Sequence, residues 1–212
     1  MRFPALILGS GGHAKVLVDT LLASGTPILG MLDPSPARLG AELWGVKVIG
    51  GDSLIADYAP NSVRLVNGLG SVASTESRRL LFERFKRQDY IFMQVIHPSA
   101  IISQHAELEE GAQIMAGAVI QAGSRIGRNV LVNTGALVDH DCVLGDHVHI
   151  APGVTLSGGV QIDGGAHIGT GAILKQGVHV GECSCIGAGS VVIRDVPAGS
   201  TVVGVPAKEI AR

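Results

Sequence analysis

Aromatic side chains are scarce in this chain: one Trp, two Tyr and four Phe make up 3% of its 212 residues. A core of large rings is excluded, and the apolar 46% is mostly Val, Ile, Leu and Ala. Charge is thin as well. Sixteen Lys and Arg against eighteen Asp and Glu leave a net charge of -2, which gives no electrostatic footprint for a nucleic-acid backbone. Cysteine is limited to Cys142, Cys183 and Cys185. They form no disulfide framework and fit a reducing cytosol, so a cytoplasmic location is expected. Long apolar runs are absent too. Leu6-Ile7-Leu8 breaks into Gly9-Ser10-Gly11-Gly12, so neither a signal peptide nor membrane insertion is expected.

Glycine, by contrast, supplies 30 positions, about twice the usual share. Small aliphatics with regular glycines suggest narrow stacked coils rather than a sandwich. From Ala100 the sequence divides into sixteen uninterrupted hexads, AIISQH, AELEEG, AQIMAG and so on to SVVIRD, and the third place is Ile, Leu or Val in every one, from Ile102 to Val192. The first place is small or β-branched, and the sixth is often Gly. One hexad is therefore one short strand plus a corner, with the third-place side chain inward and Gly permitting φ > 0 at the turn. Three hexads close a triangular coil, so residues 18 apart stack. The hexad consensus is similar to that of hexapeptide-repeat acyltransferases, and that resemblance implies a left-handed parallel β-helix.

The first hundred residues follow another rule. Strands are expected at Leu6–Leu8, Ile28–Leu32, Val46–Ile49, Val63–Val66 and Ile91–Val95, with helices over about 14–23, 52–58 and 75–87. Strands alternating with helices imply a Rossmann-like α/β domain with a parallel sheet. His97-Pro98 is the expected junction, giving domains of residues 1–97 and 98–212. The basic run from Arg78 to Arg87, interleaved with Leu80, Leu81, Phe82 and Phe85, reads as one amphipathic helix with a solvated charged face.

Between the first strand and helix, Gly9-Ser10-Gly11-Gly12-His13-Ala14 fits G-x-G-x-x-G/A, with Asp33 ending the next strand. Two readings stand: a tight βα turn, or a cradle whose backbone N–H groups approach a diphosphate. A full dinucleotide site fits poorly in about 95 residues, so a single nucleotide joined to another group is the better match. Asn67-Gly68 ends the fourth strand on the same edge of the sheet.

Six of the eight histidines fall in the repeats. Their spacing does not reproduce the ligand pattern of the zinc carbonic anhydrases built on this β-helix, so no metal is expected. His140 is the strongest candidate for chemistry. It holds the fifth place of ALVDHD, between Asp139 and Asp141, and the residue one coil above it is Gly158. A base beside an unobstructed backbone N–H is the minimum for acyl transfer; the alternative is an ordinary surface-corner histidine. His149 and His167 share a column, with His149 expected to line the same groove and His147, His167 and His179 expected at the surface or between subunits.

The whole chain resembles the bacterial nucleotide-sugar acetyltransferases of the sialic-acid O-acetyltransferase and bacillosamine-pathway N-acetyltransferase group. The match rests on GSGGHAKV, on GMLD followed by GVKVIGG, on VNTGALVDHDCVLGDHVHIAPG, and on GVPAK. The resemblance implies a homotrimer with acetyl-CoA in the groove between two subunits, and a nucleotide-activated amino sugar on the N-terminal domain. It implies His140 as general base with Asp141 raising its basicity, and Gly158 receiving the thioester oxygen. His149, Thr170 and Ala188 would contact acetyl-CoA; Gly11, Gly12, His13, Asp33 and Gly68 would contact the nucleotide sugar. The implied reaction is N-acetylation of a nucleotide-linked 4-amino-4,6-dideoxy sugar, in a polysaccharide or glycan pathway. O-acetylation of a sialic-acid-type sugar is the nearer alternative, and a zinc hydrolyase of the carbonic-anhydrase type the more distant one.

Overall fold

In the computed structural model, which describes residues 3–210, the two halves follow their two sequence rules. The N-terminal sheet has the order β3-β4-β2-β1-β5, with β1 Ala5–Leu8, β2 Ile28–Leu32, β3 Glu42–Leu43, β4 Val46–Gly50 and β5 Arg64–Asn67. All neighbours are parallel except β3, which pairs antiparallel with β4. That hairpin was not legible in the sequence, because its turn is Trp44-Gly45, with φ of 47° and 87°. Helix α1, Gly12–Ala23, packs on one side of the sheet through Ala14, Leu17, Val18 and Leu21. Helix α2, Glu76–Lys86, lies on the other with Phe82 and Phe85.

The strand expected at Ile91–Val95 does not join this sheet as a full element. Phe92 makes a single bridge to Leu65, and the chain then enters the coils: Val95–Ile96 (β6) pairs in parallel with Gln113–Ile114. Each of the sixteen hexads contributes a two-residue strand at its second and third places, from Ile101–Ile102 to Val191–Val192. Every ladder between hexads advances by 18, as in Val119↔Leu137 and Leu131↔His149. The hexapeptide half is a left-handed parallel β-helix, and its third-place aliphatics form one interior stack with Ala, Val and Cys142 from the first places.

Corner geometry explains the sixth place. Ten of these residues are glycines with positive φ, among them Gly123, Gly159 and Gly177. Asn129, Asp141, His147 and Cys183 take the same left-handed conformation without being glycine, at a cost that side chains with a Cβ normally avoid.

The three faces of the coil differ in what they present. The first bears Ile101, Val119, Leu137, Thr155, Ile173 and Val191, and remains open. The second bears Glu107, Arg125, Val143, Gln161 and His179. The third bears Gln113, Leu131, His149, His167 and Cys185 beneath the N-terminal domain, and there Met115, Leu131 and Val95 share a core with α1.

Candidate active site

The corner between the first and second faces carries the expected catalytic group. His140 Nδ1 lies 2.8 Å from Asp141 Oδ2. A carboxylate only accepts, so the proton sits on Nδ1 and Nε2 is left bare. That Nε2 stands directly over Gly158: a Cβ added there would overlap Nε2 and lie 2.5 Å from Cε1. Stacking at 18-residue rise therefore does what the spacing predicts. The His140 pKa is raised, first by the hydrogen bond its Nδ1–H donates to Asp141 and further by the charges of Asp139 and Asp141, against desolvation. Asp139 Oδ1 accepts the His140 backbone N–H at 2.7 Å and so fixes the corner. The Gly158 N–H donates to no described group, while its neighbour Gly159 donates to His140 O at 2.8 Å.

A second cluster lies where the N-terminal domain meets the corner between the third and first faces. A cleft of about 470 Å³ is lined there by Gly12, His13, Ser71, Asn133 and His149, among others. His149 is buried; Ser71 Oγ is 2.6 Å from its Nδ1, and its ring meets His167 edge-on at 4.9 Å. Burial, then the nearby His167, Arg78 and His13, hold the His149 pKa down to about 2. His149 is thus a neutral group under the N-terminal domain and does not share a groove with His140 of the same chain. His167 is buried within the chain too, rather than at the surface or between subunits as expected, and its Nδ1 has no hydrogen-bond partner among the described residues. His147 packs against Phe82, and His179 pairs with Asp163 in the open. Thr170 and Ala188 are exposed on the same third-to-first corner column, one coil apart.

The glycine turn is built as the motif suggests. Gly9 has φ of 104°, and Gly11 caps α1 with no side-chain hydrogen bond, leaving open space around Gly11 and Gly12. Asp33 faces this turn but is engaged: Oδ2 accepts the Ser10 hydroxyl at 2.5 Å and the Ser10 amide at 3.1 Å, and Oδ1 accepts the Ser35 amide at 3.0 Å. Gly68 serves packing, since its N–H donates to Leu8 O at 2.8 Å and a Cβ would stand 2.7 Å from that oxygen.

Sequence reasoning missed a buried polar network linking the domains. Arg78 is 1% exposed, not on a solvated face. Its guanidinium contacts Leu69 O, Gln113 Oε1 at 3.2 Å and Asn129 Oδ1 at 3.5 Å, with no carboxylate among these partners. Desolvation lowers its pKa to about 9, so it stays charged at neutral pH. Gln113 and Asn129 occupy outward-pointing places of their hexads, and their burial depends on the domain docked above. Among the described residues, no three His, Cys, Asp or Glu side chains converge as a metal site would need, and no helix is long and apolar enough to cross a membrane.

Comparisons with known proteins fit both halves. Residues 5–85 match the PglD N-terminal domain, and residues 123–158 match the bacterial transferase hexapeptide (six repeats). A histidine-to-asparagine variant of perosamine N-acetyltransferase from Caulobacter crescentus, solved with CoA and GDP-perosamine, is 36% identical over 99% of this chain and 97% of its own, at TM-score 0.91. The acetyltransferase domain of PglB from Neisseria gonorrhoeae, solved with acetyl coenzyme A, is 36% identical over 99% and 100%, at TM-score 0.90. WeeI from Acinetobacter baumannii is 27% identical over 99% and 100%, at TM-score 0.86. No curated protein sequence matches.

Proposed function

Because this chain belongs to the hexapeptide-repeat nucleotide-sugar acetyltransferases, we propose that it transfers acetyl from acetyl-CoA to the amino group of a nucleotide-linked 4-amino-4,6-dideoxy sugar. The observation that carries the mechanism is the bare Nε2 of His140, held over Gly158 by Asp141. In the proposed step, Nε2 takes a proton from the acceptor nitrogen as that nitrogen attacks the thioester carbon. The C–N bond forms, and the Gly158 N–H receives the oxyanion. Collapse breaks the C–S bond, and the CoA sulfur leaves with the proton returned by the imidazolium. N-acetylation is preferred to O-acetylation because relatives 36% identical over nearly their whole length include a perosamine N-acetyltransferase solved with GDP-perosamine.

A homotrimer completes this reading. His140 and Gly158 border the first face on one side; Thr170 and Ala188 border it on the other. One chain cannot bring the two corners together, whereas packing first faces around a threefold axis sets one copy's His140 corner against the next copy's Thr170 column. The first face is also where apolar side chains lie open, Ile101 at 66%, Leu137 at 43% and Ile173 at 46% exposure, as an interface between copies requires.

The test is thiol release from acetyl-CoA with a panel of UDP-, GDP- and dTDP-linked 4-amino sugars, and with sialic acids as the hydroxyl alternative. Turnover with an amino sugar, lost on the order of a hundred- to ten-thousandfold in His140→Ala, supports the reading. Turnover only with a hydroxyl acceptor, or a fully active His140→Ala, overturns it. For assembly, Leu137→Glu should convert a trimer to monomers in light scattering and abolish transfer; a wild-type monomer with full activity refutes the shared site.

A further inference from the structure

The state of His13 follows from the side chain beneath it. His13 Nε2 lies 2.8 Å from Gln113 Oε1. The orientation of that amide is fixed from two sides by unambiguous partners. Arg78 Nη2, which only donates, lies 3.2 Å from Oε1. The Asn67 carbonyl oxygen, which only accepts, lies 2.9 Å from Nε2 of Gln113. The atom facing His13 is therefore an oxygen, and an oxygen of this kind accepts. His13 Nε2 must carry the ring proton.

That leaves Nδ1 as a bare lone pair. It has no partner among the described residues, and His13 is one of the side chains lining the cleft of about 470 Å³. Burial first, and then the charge of Arg78, lower the His13 pKa to about 4, with the Gln113 hydrogen bond opposing them. The ring is neutral under ordinary conditions.

We propose that Gln113, held by Arg78 and Asn67, is a positioning residue that presents His13 to the cleft as a hydrogen-bond acceptor, so that His13 takes a hydroxyl or N–H of the acceptor sugar and rejects a phosphate oxygen. The choice of a sugar group rests on the proposed function; the acceptor character of His13 does not. A phosphate diester oxygen has no proton to offer and would face the Nδ1 lone pair directly. The anionic groups of a nucleotide are better placed on the open amides of Gly11 and Gly12 at the start of α1, where donors point outward. The turn and its histidine then divide the ligand, phosphates on the glycines and sugar on His13.

Two measurements test this. Long-range 1H–15N spectra of the whole protein labelled in its histidine rings, with His13→Asn used to assign the signal, should show Nε2 protonated and Nδ1 bare at neutral pH. An Nδ1–H tautomer or an imidazolium overturns the proposal whether or not the enzyme's substrate is known. Binding and kinetics supply the second. His13→Leu should raise KM for the nucleotide sugar roughly tenfold, the worth of one lost hydrogen bond, while Kd for the free nucleoside diphosphate stays unchanged. His13→Asn, whose Oδ1 replaces Nδ1 as acceptor, should recover most of that loss. Equal weakening of the free nucleoside diphosphate and the nucleotide sugar in His13→Leu would place phosphate on the ring and refute the assignment. If no amino sugar is acetylated by the wild type, the functional reading fails, and the spectra and diphosphate binding still decide the state of His13.

Discussion

Replacing Gly158 with Ala should silence the enzyme while leaving it folded. The added Cβ would lie 2.5 Å from His140 Cε1 and overlap Nε2, and ordinary contact begins near 3.4 Å. The ring has to retreat by about 0.9 Å or rotate away from Asp141. A base displaced by about 1 Å costs on the order of 10²-fold in rate. Loss of access to the Gly158 N–H multiplies this by a comparable factor, so a kcat fall of about 10⁴-fold is expected. Gly158 is buried beneath the His140 ring, but its φ is not in the left-handed region and the clash is with an exposed side chain that can swing aside, so the fold should lose only about 1 kcal/mol. The neighbouring glycine is the control. Gly159 has φ of 67° and open space around its Cβ, so Gly159→Ala should cost about 1 kcal/mol through backbone strain and leave kcat near normal. Thiol release from acetyl-CoA gives kcat, and thermal unfolding gives Tm. A Gly158→Ala enzyme within threefold of wild-type kcat would show that catalysis does not use an imidazole seated over residue 158.

Asp141→Asn removes the largest influence raising the His140 pKa, so the acid limb of the kcat–pH profile should move to lower pH while the plateau falls; a limb that stays in place would mean the limb is not set by His140. Arg78→Met should destabilise by roughly 3 kcal/mol or more, because it strands the Leu69 carbonyl, Gln113 and Asn129 in a buried junction; a Tm within about 2 °C of wild type would show that the network is not holding the domains. Acid should weaken the fold through His13. Its folded pKa of about 4 lies below the unfolded 6.5, so the unfolded chain takes the proton first. Stability present above pH 6.5 then declines towards pH 4, by about 3 kcal/mol, and His13→Asn should flatten that decline in urea titrations.

The coil half was legible because its period is imposed by geometry. An 18-residue rise repeats the same environment, so the inward places from Ile102 to Val192 announce themselves, and the same rise sets Gly158 over His140. The second-place columns carried a further signal that was not read. Ile101, Val119, Leu137 and Ile173 make one face apolar, Glu107 and Arg125 make the next polar, and Gln113, His149 and His167 make the third polar but nearly uncharged. Such columns mark an open apolar face, a solvated face and a covered one. Arg78 was illegible for the opposite reason. Within α2 it is one charge in a run of charges, and only its contact with Gln113 and Asn129, 35 and 51 residues away, makes it part of a junction. The Val95–Ile96 strand was misplaced because a short apolar run fits either sheet, and its parallel pairing with Gln113–Ile114 decided between them.

The histidines of the two clusters are shifted in opposite senses, and their tasks require it. His140 is exposed and pushed up by its carboxylates, which makes it a stronger base and also means that it gains a proton early as pH falls. His13, half-buried on the wall of the cleft, and the buried His149 are desolvated near a charged guanidinium and pushed down to about 4 and about 2, so they stay neutral long after His140 has become an imidazolium. Acidification should therefore stop transfer before it alters the cleft. Between the pKa of His140 and that of His13, the protein should still bind its nucleotide sugar with unchanged Kd and yet fail to acetylate it. Parallel loss of binding and turnover across that interval would mean that the cleft titrates with His140, which a neutral acceptor fixed by Gln113 cannot do.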